Sequence, residues 1–409
     1  MDPRGCAVQL AAGAGFEVTV HRELRSFALA LKITRQNNLI ALIGAPTAAA
    51  AHAPGHERAP AALRAEGLVE RLNAGGYMVN DLGDIEPQPF EQDEESPRAR
   101  NIAGVLKALN TLRPKVEEAA KSGALPLVLG GDCTIALATV SGVRRYYRHV
   151  GLFYMDRHAD LNVPASTPSG RFAGMVLAHI VGRGAPELVR FWGEPPLVRE
   201  PDVALFGTVD FDPYERDLLT ASPIRHYPAE MVLRRGPAST ALDAVAHIHS
   251  DVRHFVLHLD ADVISGEDFS ASEFTGPGGL RLEDVRAALD VIVRQKNLLA
   301  IEVTAYNPER DSDGAAAKML VELIATALST RLAALSAPKA EISQVPAVVS
   351  APSASPAPEL SAVPASAETP AEESSVVESP AAEAPAVEPV SESAPEAAAL
   401  DSTSDSEPA

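Results

Sequence analysis

Two short clusters, Asp156-Arg157-His158-Ala159-Asp160 and Asp260-Ala261-Asp262, lie about 100 residues apart and concentrate four carboxylates and one imidazole. Each ends an apolar run, Leu152-Phe153-Tyr154-Met155 before the first and Phe255-Val256-Leu257-His258-Leu259 before the second. Runs of this kind read as buried strands of a parallel sheet. Side chains alternate along a strand, so Asp156, His158 and Asp160 are expected to project together, as are Asp260 and Asp262. Carboxylates brought together in this way repel one another unless a cation lies between them. Oxygen-rich ligation with one nitrogen suits Mn²⁺, Mg²⁺, Zn²⁺ or Fe²⁺, and bridging carboxylates suit a pair of ions.

The elements that must position these clusters alternate in type. Leu39 to Gly44, Tyr77 to Asn80, Leu127 to Gly130, Gly151 to Met155, Val203 to Phe206, Phe255 to Leu259 and Leu298 to Val303 read as strands. Pro60 to Ala74, Ile102 to Ser122, Glu283 to Arg294 and Ala315 to Leu332 read as helices. Strand and helix in alternation imply a three-layer α/β/α fold with a mainly parallel central sheet. Sites in such sheets lie beyond the carboxyl ends of the strands, where both clusters fall.

These segments carry a family resemblance. Gly130-Gly131-Asp132 after Leu127-Val128-Leu129, the Asp-x-His-x-Asp-x-Asn run ending at Asn162, Asp260-x-Asp262, Pro277-Gly278-Gly279-Leu280 and Asn307-Pro308 stand in one order. In that order they resemble the arginase/agmatinase (ureohydrolase) family from about Leu39 to Leu332. The resemblance implies a centre of two Mn²⁺ ions held by six residues. Five carry over as Asp156, His158, Asp160, Asp260 and Asp262, with Asp156 and Asp260 bridging and Asp160 also orienting the attacking hydroxide as the catalytic residue. The sixth position, a histidine in the family, is Cys133, whose sulfur favours Zn²⁺ or Fe²⁺ over Mn²⁺. His258 shares a strand face with Asp260 and Asp262 and reads as a packed histidine or a partner of a ligating carboxylate. Arg157 points away from the metals and needs a partner for its charge.

The resemblance also implies a substrate wall. Asn162, Thr167 and Ser169 match positions that hold a substrate carboxylate, and Asp210, Asp212 and Glu215 match positions facing its amino group. Two departures stand against these matches. A loop histidine of the family aligns with Ala173, and the glutamate that holds a guanidinium aligns with Ala305, which predicts poor hydrolysis of L-arginine.

The charge is uneven. Of the net −20, the stretch from Ala337 to Ala409 carries thirteen Asp or Glu against one Lys, leaving about −8 for the rest. That stretch, rich in Ala, Pro, Ser, Glu and Val and without an aromatic residue, buries too little apolar surface to offset its ordering entropy. The expected organisation is a partly ordered N-terminal extension over 1–37, a metal-hydrolase domain over 38–335 and a disordered acidic tail over 336–409. Strong acidity excludes nucleic acid as a partner. Two cysteines, no secretory leader and no apolar stretch long enough to span a bilayer imply a cytoplasmic protein that does not engage membranes.

The function expected from these readings is metal-dependent hydrolysis of a C–N bond in a small guanidino, amidine or related amide substrate, by a homo-oligomer as the family commonly forms. Two other readings stay open. One is a metal-binding pseudoenzyme with an interaction role; the other is a single-metal amidohydrolase resembling the deacetylases that share the fold.

Overall fold

A computed structural model describes residues 33–337. The N-terminal extension before Ile33 and nearly all of the acidic tail fall outside the described residues. Eight strands form one sheet: β1 (Leu39–Ala45), β2 (Met78–Asp84), β3 (Leu125–Gly130), β4 (Val150–Met155), β5 (Val203–Phe206), β6 (Arg225–Tyr227), β7 (His254–Asp260) and β8 (Leu298–Thr304). Their order is β2-β1-β3-β8-β7-β4-β5-β6, and every pairing is parallel. This is the expected three-layer architecture. The helices are α1 (Ala59–Ala65), α2 (Leu68–Ala74), α3 (Ile102–Ser122), α4 (Ile135–Arg144), α5 (Val176–Ile180), α6 (Pro186–Val189), α7 (Pro213–Ala221), α8 (Ala229–Arg235), α9 (Pro237–Asp251), α10 (Leu282–Ile292) and α11 (Ala315–Ser336).

Strand alternation divides the core in two. Leu125, Leu127, Phe153, Met155, Phe255, Leu257 and Val303 face α1, α2, α9, α10 and α11. Val128, Leu152, Tyr154, Leu205 and Val256 face α3, α4, α5 and α6. Near-continuous apolar strands follow from this cover, because helices dry both faces of a parallel sheet.

Three sequence expectations change. Pro60 to Ala74 is two helices, broken at Gly67, whose φ of 85° is left-handed. The second strand is Met78–Asp84 instead of Tyr77 to Asn80, and half of it is exposed because it is the sheet edge. Ala315–Ser336 is long and apolar enough to cross a bilayer by length and composition, contrary to the expectation that no stretch is. Here it packs against α1, α2 and α10, burying Leu320, Leu323, Ile324 and Leu328. Its Arg331 guanidinium is also buried and donates to the carbonyls of Val293 at 2.6 Å and Gln295 at 2.7 Å, tying the helix to the turn that leads into β8.

Candidate metal centre

The four central strands β3, β8, β7 and β4 end together, and the chemistry-bearing residues sit at those ends. After β3 the chain must turn tightly past another segment. A Cβ at Gly131 would overlap the Thr47 carbonyl, so only glycine fits there, and Gly131 delivers Asp132 and Cys133 to the site. Asp132 turns away from the centre and fastens the loop, accepting from the Ala50 amide at 3.0 Å and from the Thr134 amide at 3.1 Å. Asp156 follows β4 directly, and Asp260 is the last residue of β7.

Two groups of donor atoms form. Cys133, Asp156, His258 and Asp260 each offer an atom within 4.8 Å of the others, and so do Asp156, His158 and Asp262. Asp156 belongs to both, the geometry expected of a bridging carboxylate. In the first group the Cys133 thiol donates to Asp260 Oδ2 at 2.9 Å, and the Thr304 hydroxyl donates to the same oxygen at 3.1 Å. In the second, His158 Nδ1 is 3.2 Å from Asp262 Oδ2 and 3.4 Å from Asp156 Oδ1.

His258 is more than the packed histidine that the sequence favoured. Tyr154, His258 and Glu302 are partners in register across β4, β7 and β8, on the face turned toward α3 and α4. They form a polar row buried beneath the site. The Tyr154 ring stacks on His258 at 4.1 Å between centroids. His258 Nδ1 lies 2.8 Å from Glu302 Oε1, and Nε2 points up to Asp156 Oδ2 at 3.6 Å. The Tyr154 hydroxyl donates to Asp160 Oδ2. Asp160 is therefore on the cavity wall but outside both donor groups.

The charges do not balance among the protein's own groups. Burial, then repulsion from Asp262 and Asp156, pushes the Asp260 carboxyl well above its ordinary range. Burial and Asp156 do the same to Asp160, and burial with Asp260, Asp160 and Asp156 raises the Cys133 thiol. Burial opposes charge on His258, yet Asp156 and Glu302 together raise it to about 10. Burial likewise opposes charge on His158, and Asp262 with Asp156 overcomes it. Asp156 Oδ2, His258 Nε2 and Glu302 Oε2 are buried with no hydrogen-bond partner. Unpaired lone pairs beside mutually repelling carboxylates are what a divalent cation would resolve, so the residues present fit a metal.

Asn162, Thr167 and Ser169 line one wall of the cavity above these groups, with Asp212 and Glu215 beside them. These residues also hold the wall together. Asn162 Nδ2 donates to Asp212 Oδ2 at 2.7 Å, and Glu215 accepts from the amides of Leu161 and Asp212 at the start of α7. Asp210 does not line the cavity. It is the partner Arg157 required, with Nε 2.6 Å from its carboxylate, and this pairing draws it away from the expected amine-facing position. Ala173 and Ala305 line the same space. Asp160 and Ala305 both hold left-handed backbone, at φ of 51° and 61°. Strained non-glycine residues of this kind gather at functional sites.

Residues that sequence reasoning missed line the same cavity: His52, His56, Ser272, Glu273 and Phe274. The Phe274 ring meets His158 edge-on at 5.3 Å and His52 at 4.8 Å, roofing the second donor group. Two histidines and a Glu-Phe pair were visible as residue types, but nothing in their spacing brought them to one cavity.

Comparison with known proteins agrees with this geometry. The family model described as "Arginase family" matches residues 38–329. The arginase of Bacillus subtilis strain 168 is 30% identical over 294 residues, covering 72% of this chain and 98% of that protein. The arginase of Brevibacillus brevis is 29% identical over 296 residues, covering 72% and 99%. A crystal structure of arginase from Bacillus cereus superposes with a TM-score of 0.65 at 29% identity, covering 71% of this chain and 98% of that one. With a shared fold and a family match over most of its length, the chain belongs to the arginase family of metal-dependent hydrolases.

Proposed function

We propose that this protein hydrolyses a C–N bond of a small substrate bearing a guanidino, amidine or related amide group. The observation that carries the reading is the sharing of Asp156 between two donor groups on the floor of a cavity of about 190 Å³, which admits a small molecule and not a polymer. Divalent cations held there would polarise a water and lower its pKa toward neutrality. Cys133, Asp156, His258 and Asp260 would hold one ion, and Asp156, His158 and Asp262 the other. Mn²⁺ is the ion the family leads one to expect, and the sulfur and nitrogen of the first group suit Zn²⁺ or Fe²⁺.

The chain's own residues supply positioning and proton transfer. Tyr154 fixes one Asp160 oxygen, leaving the other to accept a proton from the attacking water. Asn162, Thr167 and Ser169 orient the substrate from one wall, together with Asp212 and Glu215. Neither Ala173 nor Ala305 can donate or accept a proton, so L-arginine is expected to be a poor substrate. The test is a screen of metal-loaded protein for urea and ammonia release from guanidino, amidine and amide compounds. Silence across the screen, with metal bound in full, would reject hydrolysis and leave a metal-binding protein without this chemistry.

One observation favours a narrower version with a single ion. The Cys133 thiol is already spent as a donor to Asp260, whereas the His158 group needs no sulfur. Metal analysis giving one ion per chain supports that version, and two per chain the other.

A further inference from the structure

The two donor groups that share Asp156 are unlike in chemistry. Cys133, Asp156, His258 and Asp260 bring a sulfur, a nitrogen and two carboxylates, and all four residues are buried. Asp156, His158 and Asp262 bring one nitrogen and two carboxylates, on the side where the His158 side chain is 27% exposed. Sulfur with imidazole in a closed set of four suits Zn²⁺, which favours tetrahedral ligation. A carboxylate-rich set with room for water suits Mn²⁺.

The buried row beneath the site is what sets the first group apart. The Tyr154 hydroxyl holds Asp160 Oδ2, and Asp160 stands outside the group. His258, two residues before Asp260 on β7 and so on the same strand face, brings a nitrogen to it instead. Its ring is fixed from two directions. Nδ1 donates to Glu302 Oε1 at 2.8 Å, and the Tyr154 ring lies nearly parallel to it, with 8° between the planes. Nε2 is left facing the group, 3.6 Å from Asp156 Oδ2, and both of these atoms are buried without a hydrogen-bond partner. An imidazole whose far nitrogen is held by a carboxylate is aimed at a metal and made a stronger donor to it.

We propose that Glu302 and His258 make this a mixed-metal centre, in which the first group takes Zn²⁺ and the second takes Mn²⁺. The inference rests on the reading of the site as the centre of a metal-dependent C–N hydrolase. Glu302 is a positioning residue: it stands outside both donor groups and acts through His258. Raw affinity does not sort the ions, since a given site generally holds Zn²⁺ more tightly than Mn²⁺. The sorting comes from the contrast between the groups. A limiting supply of Zn²⁺ goes to the sulfur and nitrogen of the first, and the second is left to the more abundant Mn²⁺.

The test starts from the metal-free full chain, given one equivalent of Zn²⁺ and then excess Mn²⁺, with unbound ions removed. Metal analysis should find one Zn²⁺ and one Mn²⁺ per chain, and electron paramagnetic resonance should show an isolated Mn²⁺ ion in place of a spin-coupled pair. Glu302→Gln keeps the side-chain volume, and His258→Ser removes the ring. Each should weaken Zn²⁺ by about tenfold or more against a competing chelator, while the Mn²⁺ affinity stays the same. Equal loss of both ions in the two variants, or undiminished Zn²⁺ affinity in either, overturns the role given to Glu302 and His258. Two Mn²⁺ ions in the wild type, or a single ion of either kind, overturns the mixed centre and leaves C–N hydrolysis standing. Wild type that binds neither ion overturns both. A mixed centre that stays silent in the hydrolysis screen upholds the sorting of metals and rejects the hydrolase.

Discussion

Single atoms decide the metal centre. Asp260 accepts from Cys133 and Thr304 and belongs to the group shared with Asp156, so Asp260→Asn should remove a ligand without changing volume. Metal that binds only the folded state stabilises by mass action, by about 2.7 kcal/mol at a hundredfold excess over the dissociation constant. Chelation should therefore lower the melting temperature of the wild type, and lower that of Asp260→Asn by less, because the Asp156, His158 and Asp262 group is left intact. A wild type that holds no metal and ignores chelators would sink the site. Cys133→His exchanges a soft donor for a borderline one, so Mn²⁺ affinity measured against Zn²⁺ should rise; an unchanged ratio would mean that position 133 touches no ion. The residue scale is also where the sequence read best and worst. Asp156 and Asp260 were legible because each ends a mostly apolar strand. The Tyr154–His258–Glu302 row was not, because it exists only through the register of three strands, and no local pattern encodes register between segments so far apart.

Among the elements, the short α5 carries a built-in acid sensitivity. His179 Nδ1 faces the Met175 carbonyl at 2.6 Å, and Nε2 accepts from the Ala185 amide at 3.0 Å, so the buried ring is neutral. Burial lowers it from 6.5 to about 4. A depressed histidine leaves the unfolded chain holding the extra proton. Its stabilising contribution is whole above pH 6.5 and is lost as pH falls toward 4, a change of roughly 3 kcal/mol. Denaturant midpoints between pH 7 and pH 4 should fall less steeply for His179→Gln than for the wild type; parallel curves would refute this. Arg331 on α11 is a second element-scale device. Arg331→Leu strips two charge-assisted bonds from buried carbonyls and should cost about 3 kcal/mol in urea unfolding. Helix breaks were harder to read than strands. Gly67 splits α1 from α2 inside a run whose leucine stripe looked continuous, since one left-handed residue leaves the apolar pattern intact.

At the scale of the whole molecule, both cores close around one sheet, and the family match ends within α11. We expect residues 38–335, expressed alone, to unfold cooperatively at a melting temperature within a few degrees of the full chain, because the acidic tail offers little apolar surface to dock. A large loss of cooperativity would show that the ends contribute to the fold. The alternation that revealed three layers came from composition along each segment, whereas the order of strands did not, since β3 meets β8 and β4 meets β7 only through long excursions of the chain.

Those excursions set a timetable for synthesis. β3 pairs with β8 across about 170 residues, so its carboxyl end cannot be closed until β8 has left the ribosome. At 5–20 residues per second, roughly 10–30 s separate the two events. During that interval Cys133, Asp156 and His158 exist on nascent chain with Asp260 and Asp262 still to come, and no ion can template the centre early. A ribosome-bound nascent chain stalled before His254 should therefore bind no metal and stay sensitive to protease, while one stalled well past Asn307 should gain metal binding and protease resistance at once. The order of strands makes the catalytic floor among the last parts of the protein to be finished.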